Sequence, residues 1–416
     1  MPPKATKKDK EKDKAQPAAS GLNAELDKEL AEAKMLNLVK FADEACDMSV
    51  EVFKTGFPQL DYVLHRKKLG CPLGRDVEIF SKDPEMGKTS LGLQLLAAAQ
   101  RVKLRTAIDD VERTITDELL AMYGIVTDPK QSDVYAARVM CKEKKVLPAE
   151  VHLDTILAVS NIFDVILVDS IAALEKADDL AKSCGDNEGV GGVSKKMSAF
   201  CRKNVAKRAT IIWINQTRMK VGPAGPAGPG TVTTGGRAMP FYASVRLVLT
   251  PAGMDWKIKQ GEDVIGMKIK VFTDKNKVSP QFQFANLTYL FGKGFSSHYD
   301  YYELALKLGA VQKSSSWISF EIPERLVEIP DVAKQLLENQ LKDWAKEKGW
   351  KLTVDGGEKK LVVPKRLVKT QGALGFVEQM ELDAELFDAV RLTVDGTDVV
   401  DEEVTAAAQD AEEPAA

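Results

Sequence analysis

The chain has 416 residues, 44% of them apolar and 29% charged, with a net charge of −3. That length suggests two or three domains around a large core, and the near-neutral balance excludes a uniformly basic nucleic-acid binder, so any DNA contact must come from locally concentrated charge. The chain contains no apolar run of about 18 residues, and its lysine-rich start lacks the apolar segment of a secretory signal, so no membrane segment and a cytoplasmic location are expected.

Residues 1–19 alternate lysine with acid and then run through Gln16-Pro17-Ala18-Ala19, which predicts a disordered tail. Leu22, Leu26, Leu30 and Ala33 recur at helical spacing and predict an amphipathic helix over 22–38, within an N-terminal region of 20–52. Strands are then predicted at Val77–Phe80, Thr106–Asp109, Asp164–Asp169 and Ile211–Ile214, with helices after Lys88 and near 193–207. Further strands fall near 242–249 and 266–273. Strands alternating with helices argue for an α/β fold, a mostly parallel sheet flanked by helices.

After Pro323 the pattern changes. Val332, Leu336, Leu337, Leu341 and Trp344 form a helical stripe opened by Pro330-Asp331 and closed by Gly349. Lys351–Val354 and Lys360–Val363 flank Asp355-Gly356-Gly357, which reads as a hairpin. Residues 323–392 are therefore expected to form a small α/β domain, and 393–416, rich in Asp and Glu without a base, an acidic disordered tail. The five cysteines (Cys46, Cys71, Cys141, Cys184, Cys201) are widely spread with no CxxC pair, which predicts free thiols in a reducing compartment.

The strand Val77–Phe80 runs through Ser81-Lys82-Asp83-Pro84-Glu85-Met86 into Gly87-Lys88-Thr89-Ser90 and a helix. This is most of a P-loop: free N–H groups of the helix N-terminus face phosphate, Gly87 permits close approach, Lys88 reaches the β/γ-phosphates and Thr89 holds Mg²⁺. Lys82 departs from the pattern, standing where the first glycine belongs. Its charge is expected near the phosphates. Asp169 closes the strand beginning at Asp164 and is placed to hold Mg²⁺ through water. Gln216, at the end of the strand through Ile214, can hydrogen-bond a γ-phosphate or its hydrolytic water and pull on the loop behind it. The glycine-rich stretch Thr217–Gly236 carries Arg218 and Lys220, and Arg237 follows it. Thr231, Thr233 and Thr234 add hydroxyls, and Gly235 and Gly236 allow backbone N–H groups to fold around phosphate. Its tip, Gly222–Gly230, repeats Gly-Pro-Ala and reads as a stiffened loop rather than a triple helix.

Taken together, the opening segment Thr55–Asp61, the nucleotide strands, Asn215-Gln216 with Arg218-Met219-Lys220, and Phe241-Tyr242-Ala243-Ser244-Val245-Arg246 resemble RecA-type recombinases over about 53–320. The resemblance implies a RecA-like P-loop ATPase core at 53–322, with the N-terminal helix serving polymerisation. The stretch from strand to Gly87-Lys88-Thr89 is one residue longer than the usual RecA-type loop. The resemblance runs without a gap from Asp110 to Gly124 and implies that Glu112 activates the attacking water, with Asp109 and Asp110 as alternatives. It implies base stacking on Phe291, whereas Thr116 and Leu119 replace the family's other adenine contacts. Lys275 and Lys277 resemble the paired lysines that reach a neighbouring subunit's ATP, and Phe241 is implied at the subunit interface. DNA is implied at two loops: Leu180–Val193, followed by a basic helix with Lys195, Lys196 and Arg202, and Thr217–Gly236. The implied activity is ATP- and Mg²⁺-dependent filament formation on single-stranded DNA with pairing and exchange of homologous duplex DNA, and the implied partners include single-strand-binding and loader proteins. A helicase-type motor, a filament that hydrolyses ATP poorly and a non-enzymatic mediator remain alternatives.

Overall fold

The computed structural model describes residues 50–130, 136–141, 145–181, 192–206, 209–219, 231–329, 333–355 and 358–396. The helix expected over 22–38, the tail 1–19, the loop tip 222–230, Lys220 and most of the first expected loop lie outside these residues, as does the acidic tail beyond 396. The described residues from Glu51 onward form one compact unit.

A short ladder joins β1 (Val52–Phe53) to β2 (Cys71–Pro72), with helix α1 (Pro58–Leu64) between them. The nucleotide half follows as β3 (Asp76–Ser81), α2 (Lys88–Arg101), β4 (Thr106–Asp110), α3 (Asp117–Met122), β5 (Arg138–Val139), α4 (Ala149–Val159) and β6 (Val165–Asp169). Next come α5 (Ala177–Leu180), α6 (Gly192–Lys203), β7 (Thr210–Met219), β8 (Thr231–Thr233), α7 (Ala238–Tyr242) and β9 (Val245–Pro251). The strands β10 (Lys257–Gln260), β11 (Asp263–Asn276), β12 (Phe284–Leu290) and β13 (Gly294–Phe295) complete an 11-stranded sheet. Its main path is β13-β12-β11-β9-β3-β7-β6-β4-β5, parallel from β9 to β5 and antiparallel from β9 through β11 to β13.

The central strands β6 and β7 are buried on both faces, which explains the unbroken apolar runs Val165–Val168 and Ile211–Ile214. In β6, Val165 and Leu167 join the core beneath α2, while Ile166 and Val168 join Leu153, Met197 and Phe200 in the other layer. Gly92 lets α2 approach the sheet: a Cβ there would stand 2.7 Å from Leu167 Cδ1. The close approach brings the start of α2 over the C-terminal ends of β3 and β6, where open α/β sheets bind ligands.

The remaining elements are α8 (Ser297–Lys307), β14 (Gln312–Ser314), β15 (Trp317–Ile322), β16 (Arg325–Glu328), α9 (Glu338–Glu347), β17 (Lys351–Asp355), β18 (Glu358–Val363), β19 (Arg366–Gln371), α10 (Gly372–Leu382) and α11 (Ala384–Asp395). The expected hairpin forms, with Asp355 opposite Glu358. Helix α9 starts at Glu338, later than the stripe from Val332 predicts, because Leu337 stands outside the helix as its extended N-cap and is 73% exposed. Residues on both sides of the expected boundary at 322/323 share one core: β15 pairs with β19, and Ile318 and Phe320 pack with Phe376, Leu386 and Val390. Among the described residues no helix is long and apolar enough to cross a membrane.

Helices α1 and α8 are joined by a buried polar contact in which Gln59 donates its backbone N–H (3.3 Å) and its side-chain amide to Asp300. Burial pushes the Asp300 carboxyl up from 3.8 to about 8, against the lowering effect of the Gln59 donors. A raised carboxyl holds its proton in the folded chain after the unfolded chain has lost it, so stability falls as pH rises from about 4 to about 8. Asp300→Asn removes the titrating proton. It is expected to flatten the dependence of Tm on pH across that window relative to the parent chain, and an unchanged difference curve would contradict the assignment.

Candidate nucleotide and DNA site

The loop after β3 enters α2 through Gly87, whose left-handed backbone (φ 70°) is the helix N-cap, while Glu85 supplies a second left-handed turn (φ 59°). Lys88 Nζ donates to Ser81 Oγ at 3.0 Å, and Thr89 Oγ1 donates to Asp169 Oδ2 at 2.6 Å. Burial pushes the Asp169 carboxyl up to about 6 against the Thr89 bond, with Glu112 and Asp110 adding repulsion. Burial also lowers the Lys88 ammonium, while Asp169 and Glu112 oppose that shift. A threonine hydroxyl beside a carboxylate is a hard oxygen pair that fits Mg²⁺.

The three acids at the end of β4 are turned in different directions. Asp109 is fully buried against His152 in the layer away from α2. Asp110 accepts the backbone N–H groups of Thr114 (3.1 Å) and Ile115 (3.0 Å) and so caps its own loop. Glu112 alone of the three faces the site: it accepts Ser170 Oγ–H and the Gln216 amide, the latter at 3.4 Å. The backbone N–H groups of Val111 and Glu112 donate to the Asp169 carbonyl at 2.7 and 3.1 Å, which holds this segment against the end of β6.

Gln216 also belongs to the second loop. Its carbonyl accepts the Thr234 N–H at 3.0 Å, and Asn215 Nδ2 donates both to Glu78 (2.7 Å) and to the Thr234 carbonyl (2.9 Å). Strand β8 pairs with the end of β7, with Thr233 opposite Thr217, and Thr217 Oγ1 donates to the Ser81 carbonyl at 3.2 Å. A Cβ on Gly236 (φ 72°) would stand 2.6 Å from Ser194 Oγ, and one on Gly235 (φ 84°) 3.1 Å from Ile171. The root of the second loop therefore lies against the helix that follows the first.

A cleft of about 660 Å³ runs from Lys88, Thr89 and Ser90 to Phe291, which is 52% exposed. Ser90 Oγ donates to the Tyr289 hydroxyl at 3.4 Å, and Tyr289 meets Phe291 edge-on with ring centroids 6.1 Å apart. Tyr289, Trp256 and Met267 also line this cleft and are absent from the sequence prediction. Tyr289 could have been found from its place near the end of β12, two residues before Phe291. Trp256 could not, since it arrives from a separate hairpin. Thr116 is committed elsewhere, capping α3 through the Leu119 N–H at 3.2 Å.

Lys82 does not reach the phosphate cleft. It lines a separate cavity of about 560 Å³ with Thr217, Arg237, Phe241 and Arg246, because the loop turns at Glu85 and Gly87 after Lys82 has passed. Lys275 Nζ donates to the carbonyls of Pro240 (2.6 Å) and Phe241 (2.9 Å), and Lys277 Nζ to that of Phe241 (3.3 Å). Burial, then Lys277 and Arg246, lower the Lys275 ammonium to about 8. Neither lysine lines the chain's own cleft, and Phe241 is 66% exposed.

Of the residues expected to meet DNA, Lys195, Arg202, Arg218 and Arg237 are exposed. Lys196 is exposed but pairs with Glu150 at 2.9 Å. Thr233 differs from expectation: it is 7% exposed in the β7–β8 pairing, and its hydroxyl has no hydrogen-bond partner among the described residues.

The family model described as the RecA N-terminal domain matches residues 22–296, well over half of the chain. With a mostly parallel sheet flanked by helices and a P-loop at the end of β3, this chain belongs to the RecA family.

Proposed function

We propose that this chain is an ATP-dependent recombinase that forms helical filaments on single-stranded DNA and exchanges strands with homologous duplex DNA. The observation that carries the proposal is the single hydrogen-bonded path from Glu112 through Gln216 to Thr234. Gln216 touches the proposed water-activating carboxylate with its side chain and the root of the proposed DNA loop with its backbone. A γ-phosphate bound by Gln216 would thus bear on the loop, which is how nucleotide state reaches DNA affinity.

Lys88, Thr89 and Asp169 hold the triphosphate and Mg²⁺ in this reading, Ser90 and Phe291 line the nucleotide's cleft, and Glu112 orients and deprotonates the attacking water. Lys275, Lys277 and Phe241 face a neighbouring subunit. Lys195, Lys196, Arg202, Arg218, Lys220 and Arg237 neutralise DNA phosphates, with Gly235 and Gly236 offering backbone N–H groups. Residues 20–52 serve polymerisation, 53–322 form the ATPase core, and 323–392 guide duplex DNA. Arg237→Ala is expected to weaken single-stranded DNA binding and to lower the slope of log K against log salt by about 0.7, one phosphate contact on a single strand. An unchanged slope would remove Arg237 from the DNA site.

A second reading, a filament that binds ATP but turns it over slowly, is favoured by one feature of the phosphate loop. Lys82 faces another cavity, while Asp83 and Glu85 line the phosphate cleft.

A further inference from the structure

The two adjacent acids of β4 point to opposite faces of the sheet, as successive strand residues must. Asp110 serves the loop beside the nucleotide site, and Asp109 enters the other layer. There both Asp109 carboxylate oxygens lie 2.9 Å from His152 Nδ1, with Asp109 fully buried and His152 5% exposed. Cys141, two residues past β5 and half-buried, brings a thiol to the same point from a left-handed backbone (φ 54°). One donor atom each from Asp109, Cys141 and His152 lies within 4.8 Å of the others. Among the described residues this is the one cluster of its kind.

We propose that Asp109, Cys141 and His152 bind one zinc-type divalent cation, at a site distinct from the proposed Mg²⁺ position at Thr89 and Asp169. A thiolate, an imidazole and a carboxylate together form a donor set that suits Zn²⁺ and not the hard cation Mg²⁺. Tetrahedral zinc with bonds of about 2.0–2.3 Å separates its donors by roughly 3.3–3.8 Å. The three donors lie within 4.8 Å of one another, and the His152–Asp109 contact has to open by only a few tenths of an ångström from 2.9 Å. Three protein ligands leave the fourth position to water on the half-open side of Cys141. Without metal the imidazole is charged: burial opposes its proton, but the bonds to Asp109 and Cys141 outweigh burial and raise it to about 9. A bound cation takes the place of that proton beside Asp109 and Cys141.

The donors come from β4, the segment after β5 and α4, so occupancy adds a tie among three elements that already share one apolar layer through Ala107, Met140 and Leu153. Asp109 is three residues before Glu112, and Glu150 of α4 holds Lys196. The site therefore braces the scaffold behind both the proposed hydrolytic carboxylate and the proposed DNA helix. No CxxC or HxxxH spacing marks it, since its members are scattered over 44 residues, from 109 to 152.

The test is a Co²⁺ titration of the full-length, chelator-treated protein without nucleotide. About one equivalent is expected to give the intense visible bands of tetrahedral cobalt together with a thiolate-to-cobalt charge-transfer band. Zn²⁺ should displace both, and Cys141→Ser should abolish the charge-transfer band. Zn²⁺ should also raise the Tm of the parent chain but not that of the variant. If Cys141→Ser does not fold, the parent spectrum and His152→Gln decide in its place. The assignment is overturned if the parent shows only the weak bands of six-coordinate, oxygen-ligated cobalt, or if the thiolate band persists without Cys141.

Discussion

Glu112→Gln is expected to lower ATP turnover by about 10²–10⁴-fold, the usual contribution of a positioned general base, while ATP and DNA binding stay near parent values. Glutamine keeps the shape of the side chain and can still accept Ser170 Oγ–H, so the link among β4, β6 and Gln216 survives. What it loses is the negative charge able to draw a proton from water. Single-turnover hydrolysis of bound ATP separates this effect from slow product release. Parent-like turnover would take the base away from Glu112. Asp110 would then be the nearest replacement, though its carboxylate is already spent on the N–H groups of Thr114 and Ile115.

Lys88→Ala removes the ammonium that lines the phosphate cleft and touches Ser81. A hydrogen bond to a charged group contributes about 1.5–3 kcal/mol, so losing a single such contact to the triphosphate weakens ATP binding roughly 10- to 150-fold. Assembly in ATP should fail at concentrations that saturate the parent. The fold should persist, because Ser81 Oγ keeps its own bond to the Asp83 carbonyl at 2.6 Å and Lys88 anchors no core residue. Nucleotide titration, with filaments imaged on the same samples, checks both halves, and unchanged assembly in ATP would contradict the phosphate assignment.

The fold was legible where the sheet is buried on both faces. Val165–Asp169 and Ile211–Ile214 are continuous apolar runs because helices cover both sides of their strands, and both strands form. The expected hairpin was likewise legible from local sequence, and β17 and β18 pair as it predicts. Short edge strands and half-buried helices were not legible: β5 has two residues, both exposed, and α4 follows Pro148 with Val151 exposed and His152 buried in its first turn. At the candidate site, the residues that one segment presents at the end of one strand came from the sequence, as with Lys88, Thr89 and Asp169. Trp256 and Met267 did not, because tertiary pairing of β10 with β11 brings them to the cleft. Lys82 was misplaced for a related reason. The loop turns at Glu85 and Gly87 only after Lys82 has passed, and residue type alone does not show that. The cluster of Asp109, Cys141 and His152 was invisible for the same cause on a larger scale, since only the packing of α4 on the sheet assembles it.

The central claim is that ATP chemistry and DNA binding are coupled through Gln216. Steady-state ATP hydrolysis with and without single-stranded DNA, measured on samples that are also imaged by negative-stain electron microscopy, tests it most directly. Turnover stimulated by DNA together with open helical filaments is the predicted result. Turnover indifferent to DNA, or closed rings in place of filaments, would contradict it.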